Sequence, residues 1–120
     1  MTYEQIKQML LLTTDPVERL ELVMDFGAHI GIVPDGANCS EITGCASRVQ
    51  ICRMDNNFYG TADSVLVRGI VAILTAMVDG KTPEQIRKMD LKSEFLSLNL
   101  NLGAGRINGV NSMIRFLQNL

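Results

Sequence analysis

Apolar residues recur at helical spacing near both ends of the chain and give way to short β-like runs in the middle. Ile6, Met9 and Leu10 mark a helix within Thr2 to Leu12. A second helix starts at Asp15, whose carboxylate suits the N-cap. Pro16 takes the first helical position and Glu18 follows three residues after the cap. Leu20, Val23, Met24 and Gly27 line one face of that helix and call for close packing. Between Ile30 and Asn38 the pattern breaks, and Gly31, Pro34 and Gly36 mark a loop.

Three short strands follow. Cys39 to Thr43 reads as the first, Arg48 to Met54 as the second and Phe58 to Ala62 as the third, with a turn at Asp55-Asn56-Asn57. Gly44-Cys45-Ala46 therefore falls at a tight connection between two strands. Ser64 then caps a helix that runs to Asp79, with Gly80 as its left-handed stop. Thr82 to Gln85 spells a capping box, and Asp90 caps a short helix through Leu96. Asn99 to Gly105 is a loop, and a last helix reaches Leu117 with Val110, Met113, Ile114 and Leu117 at core spacing. The order predicts an α+β fold, a small antiparallel three-stranded sheet covered by helices, in one domain over residues 1–120.

Composition supports this picture. With 47% hydrophobic and 20% charged residues in 120, the chain can bury an ordinary core. A net charge of −2 shows no basic surplus for neutralising phosphates, so no nucleic-acid partner is expected. The longest apolar run, Val65 to Val78, carries Arg68 and falls short of the roughly 18–20 residues that span a bilayer. It reads as a core helix, and no membrane association is expected. The polar start, Met1 to Lys7, is unlike a signal peptide, so a cytoplasmic address is expected.

Three cysteines, Cys39, Cys45 and Cys52, carry the candidate chemistry. Their odd number and the expected compartment argue against a disulfide framework, leaving at least one thiol free. Cys52 reads as a small core hydrophobe within its strand, and Cys39 lies at a strand's mouth. Cys45 differs in its setting. Gly44 frees the backbone before it, small Ala46 and Ser47 follow, and Arg48 is close enough in sequence to favour a thiolate. The C-x5-C-x6-C spacing lacks the paired ligands of structural zinc sites, so no metal is expected. His29, the single histidine, reads as a helix-end residue rather than a catalytic base. Gly103 to Gly109 lacks the Lys-Ser/Thr ending and the preceding strand of a phosphate-binding loop.

Taken in order, these segments resemble the SufE family of sulfur-transfer proteins. The resemblance rests on Asp15-Pro16-Val17-Glu18-Arg19-Leu20, on Val33-Pro34 and on Ile42-Thr43-Gly44-Cys45-Ala46-Ser47-Arg48-Val49. It continues through Ala62-Asp63-Ser64 with Val67-Arg68-Gly69-Ile70, through Gly80 to Ile86, and through Arg106-Ile107-Asn108-Gly109-Val110. Gln50 stands where the family usually has Trp. The resemblance implies a fold shared with the IscU-like scaffolds. It also implies a sulfur carrier, not an enzyme, whose Cys45 accepts a persulfide sulfur from a pyridoxal-phosphate-dependent cysteine desulfurase and stimulates it. Sulfur then passes to an iron–sulfur scaffold complex. Gly44, Arg48, Asp63 and Arg106 are the implied supporting residues, the carrier itself needs no cofactor, and the small size suggests a monomer. Two other readings stand beside it. One is an IscU-like scaffold holding a cluster or zinc through Cys39, Cys45, Cys52 and His29, and the other is an adaptor that docks the desulfurase without carrying sulfur.

Overall fold

The computed structural model describes residues 1–120. Two helices come first, α1 (Tyr3–Leu12) and α2 (Pro16–Ala28). The strands are β1 (Asn38–Glu41), β2 (Val49–Met54) and β3 (Asn57–Ala62), and α3 (Val65–Val78), α4 (Pro83–Arg87), α5 (Leu91–Leu96) and α6 (Ala104–Leu117) follow. The α+β architecture expected from the sequence is the one found: a three-stranded antiparallel sheet in the order β1-β2-β3, covered by helices.

Helix starts follow the expected cap chemistry. Asp15 accepts from the Glu18 N–H at 3.0 Å, Ser64 from that of Val67 at 3.4 Å, and Asp90 from that of Ser93 at 3.1 Å. Thr82 and Gln85 satisfy each other's backbone as a capping box, and Thr2 with Gln5 forms another. Each removes orphan N–H groups that would otherwise face water or apolar neighbours.

The centre of the molecule is α3. Gly69, Ile70, Val71, Ile73, Leu74, Met77 and Val78 are all buried there, because the helix is packed between α2 and the sheet. Its buried Thr75 keeps its hydroxyl satisfied by donating to the Val71 carbonyl at 2.8 Å. On the α2 side, backbone meets backbone. A side chain on Gly69 would run into the Val23 carbonyl, and one on Gly27 would lie 2.7 Å from the Gly69 nitrogen. The expected close packing at Gly27 is this seam.

The sheet is fastened to α3 at one end, where Asp79 Oδ1 accepts from the Phe58 N–H at 3.0 Å and Asn56 O accepts from Gly80 at 2.7 Å. Arg19 gathers loose helix ends. Its guanidinium donates to the carbonyls of Leu10, Thr13 and Leu98, which joins the end of α1 to the segment after α5.

Two expectations need correction. β1 ends at Glu41 and not at Thr43, because the chain turns away at Thr43-Gly44, so residues 42–48 form an open loop rather than a tight connection. The argument against a disulfide also fails: Cys39 and Cys52 are bonded to each other. They stand directly opposite in the β1–β2 register, with Cα atoms 4.0 Å apart. Ile42 donates to Val49 O at 2.9 Å, which makes 42 and 49 a hydrogen-bonded pair. Counting along the ladder then puts 39 and 52 at a non-hydrogen-bonded pair, where facing side chains approach most closely. Cys52 is fully buried as expected, but as half of a disulfide and not as a lone hydrophobe.

Candidate functional site

The remaining thiol, Cys45, is free and half-buried. It sits in the 42–48 loop, anchored on one side by buried Ile42 and on the other by fully buried Val49 at the start of β2. Between these anchors Gly44 adopts φ +89°, a conformation that L side chains rarely take. That bend turns the following residue toward α6. The Cys45 thiol donates to the Gly109 carbonyl at 3.6 Å, and a methyl group on Gly109 would lie 3.5 Å from Sγ. α6 thus packs on the loop at ordinary contact distance, through the Gly109 backbone.

Cys45 opens into a cavity of about 400 Å³. Its walls are the loop at Ala46 and Ser47, the start of α3 at Ser64 and Val67, and the approach to α6 from Leu102 to Arg106. The N-cap of α6 is Gly103, φ +82°, with no side chain capping the first turn, so the positive end of that helix faces the same space. Burial pushes the Cys45 thiol up from its ordinary value. At neutral pH it therefore rests protonated, sheltered and weakly nucleophilic, and attack requires a neighbour or a movement that favours the thiolate.

The expected supporting residues divide. Gly44 shapes the loop, and Arg106 lines the cavity, exposed, with Nη1 3.4 Å from the Leu102 carbonyl. Arg48 turns away to Glu41, Nε to Oε1 3.1 Å, in a largely exposed pair across the base of the loop. Asp63 is exposed and outside the cavity wall, where its N–H donates to Arg48 O at 3.1 Å, and its neighbour Ser64 supplies the cap. His29 ends α2 as expected, with Nδ1 2.8 Å from Asp25 O.

Residues that sequence reasoning did not single out include Val67, Leu102, Gly109 and Met113 of the wall. The small-residue run from Gly103 to Gly109 was the available signal: its last glycine supplies the carbonyl that meets the thiol, whereas Gly103 and Gly105 border open space. The donor set of an IscU-like scaffold is not assembled. Cys39 and Cys52 are joined to each other, and nowhere do three His, Cys, Asp or Glu side chains converge.

A family model described as "SufE: Fe-S metabolism associated domain" matches residues 4–120. The chain is 32% identical to an uncharacterized SufE-like protein of Rhizobium meliloti, over 82% of this chain and 79% of that protein. It is 31% identical to the sulfur acceptor protein CsdE of Escherichia coli, over 78% of this chain and 69% of that one. It is 27% identical to the chloroplastic SufE-like protein 2 of Arabidopsis thaliana, spanning 44% of that longer protein. Among solved structures, a hypothetical protein from Thermus thermophilus shares the fold, with a TM-score of 0.69 over 99% of this chain and 94% of the other at 15% identity.

Proposed function

This chain belongs to the SufE family, whose role is sulfur transfer, and from that premise we propose that Cys45 is the thiol that accepts the sulfur. The observation that carries the proposal is its availability. Of three cysteines two are spent on each other, and the third borders a cavity of about 400 Å³. The donor is a pyridoxal-phosphate-dependent cysteine desulfurase carrying a persulfide on its own cysteine, and the sulfur goes on to an iron–sulfur scaffold complex. The carrier acts in the cytoplasm as a monomer.

The reaction is thiol exchange. Cys45 loses its proton and attacks the outer sulfur of the donor persulfide. A sulfur–sulfur bond forms on Cys45 while that of the donor breaks, and the donor thiolate takes up the proton. No net oxidation occurs. Rate depends on the thiolate fraction and on access, and both are low in the resting loop, where the thiol is protonated and packed against Gly109. Docking therefore has to draw the 42–48 loop away from α6. The same cavity shelters the loaded persulfide from water and stray thiols once the loop returns.

Mass spectrometry after incubation with desulfurase and cysteine tests the assignment. The peptide containing Cys45 should gain one sulfur atom, and Cys45→Ser should neither gain it nor stimulate the desulfurase. Cys39→Ser and Cys52→Ser should retain both properties. Sulfur found on Cys39 or Cys52, or stimulation by Cys45→Ser, would overturn the assignment. Exchange kinetics of the 42–48 amides should show lower protection with the desulfurase bound, and equal protection would refute the loop movement.

A further inference from the structure

The disulfide lies at the base of the loop that holds the candidate acceptor. Cys45 comes six residues after Cys39 and seven before Cys52, within a separation of 13. The sulfur–sulfur bond therefore closes a covalent ring with the acceptor thiol near its far point. The two halves of the bond differ. Cys52 is fully buried in the central strand, whereas Cys39 is exposed on the four-residue edge strand β1. Three of the four β1 residues are exposed, so little apolar burial holds that strand down. Apart from its ladder hydrogen bonds and the burial of Ile42 just past its end, β1 is tied to the sheet side by the exposed Glu41–Arg48 pair and by the disulfide. Exposed pairs of that kind contribute little. The disulfide is the strong tie.

We propose that Cys39 and Cys52 form a reversible redox site that governs release of the Cys45 loop, an inference that rests on the sulfur-acceptor reading above. In the oxidised form β1 cannot leave β2, the ends of the loop stay pinned and Cys45 remains under α6. In the reduced form β1 peels away and the loop swings out. A disulfide in a reducing compartment is commonly transient or redox-sensing, which suits a switch better than a permanent staple. The chemistry is two exchanges with a low-molecular-weight disulfide. The exposed Cys39 thiolate attacks it, forming a mixed disulfide and expelling one thiol. Cys52 then attacks the Cys39 sulfur, forming the protein disulfide and expelling the second thiol. The two cysteines lose two electrons and two protons, and the small disulfide gains them. A thiol reductant reverses both steps.

The test compares the full chain after treatment with oxidised glutathione with the chain after dithiothreitol, each freed of small molecules. The rate of iodoacetamide addition to Cys45 is followed by peptide mass spectrometry. A Cys45 capped by glutathione takes no reagent and drops out of the rate. The species carrying the Cys39–Cys52 bond should label at least about tenfold more slowly, a lower bound to the factor of roughly 100 expected when a loop of this length is cross-linked at its ends. Cys39→Ser, whose change lies on the exposed edge, should label at the fast rate after either treatment. Equal rates for the oxidised and reduced wild-type chain, or failure of oxidised glutathione to join Cys39 to Cys52, would overturn the switch. Sulfur uptake by the reduced chain is measured in parallel with the desulfurase. Loss of that uptake alone refutes the acceptor reading, and equal labelling with uptake intact refutes the switch.

Discussion

Replacing Gly44 with alanine perturbs the loop without touching the thiol, and the structure fixes the expected size. At φ +89° an L residue loses about 1–2 kcal/mol relative to its ordinary conformations. The new Cβ would also sit 2.5 Å from Ser112 Oγ and 3.4 Å from Ser112 Cβ on α6. The Ser112 hydroxyl can rotate away, but that gives up its 3.2 Å bond to the Asn108 carbonyl, worth about 0.5–1 kcal/mol at the surface. Together the packed loop is disfavoured by about 1.5–3 kcal/mol, which moves an opening equilibrium by about 12- to 140-fold. Both costs fall on the packed loop, because a loop lifted from α6 escapes Ser112 and relaxes its backbone. Gly44→Ala should therefore label Cys45 with iodoacetamide at least about tenfold faster at a fixed pH. Global stability should change less than the labelling rate. Adding Ser112→Gly removes the collision and leaves the backbone cost, so the double variant should recover part of the protection. Unchanged labelling in Gly44→Ala would refute the reasoning that this bend holds the thiol against α6.

Three more outcomes follow from geometry elsewhere. Because burial raises the Cys45 thiol, alkylation of the resting chain should keep rising with pH beyond the roughly 8.5 of a free cysteine, and an inflection at or below the value found in denaturant would contradict that cause. Gly69→Ala forces a methyl into the Val23 carbonyl, and urea unfolding should show a loss of about 3 kcal/mol, whereas a neutral result would mean the α2–α3 seam is looser than described. Tyr3→Phe removes the 2.8 Å bond from the phenol to Glu94 and should cost about 1 kcal/mol. The Tyr3 bond heads the causes that hold the Glu94 carboxyl below its ordinary value. Its contribution is therefore complete above the unfolded value and fades as pH falls through the lower folded one, so wild type and variant should converge in acid denaturation.

The parts of the fold legible in the sequence are those set by neighbours along the chain. Asp15, Ser64, Thr82 and Asp90 announce their helices because a cap bonds two or three residues ahead. Gly80 and the Asp55 turn need only their own backbone angles, φ +80° and +55°. Long-range placement was not legible in the same way. The pairing of Cys39 with Cys52 depends on strand register, which a count of cysteines does not contain, and the odd number reflects a third thiol, Cys45, that stays free. Arg48 stands close to Cys45 in sequence, yet the register sends its side chain across the loop's base to Glu41. The sequence placed Cys45 at a connection between two strands, but its cover comes from α6, through Gly109, 64 residues further along the chain. The bond from Phe58 to Asp79 and the grip of Arg19 on three carbonyls had no local signature at all.

That grip also bears on the cover over Cys45. Leu98, one of the acceptors, lies just before residues 99–103, the stretch of chain that leads into α6 and so into the cover over Cys45. The stretch starts from a point fixed by a side chain of α2 and shared with the end of α1. A compact ammonium in place of the planar fork, as in Arg19→Lys, loses the spread of donors that spans the three carbonyls and slackens the tether by which the lid hangs. How firmly the sulfur is kept from solvent is thus decided partly at a residue that never comes near it.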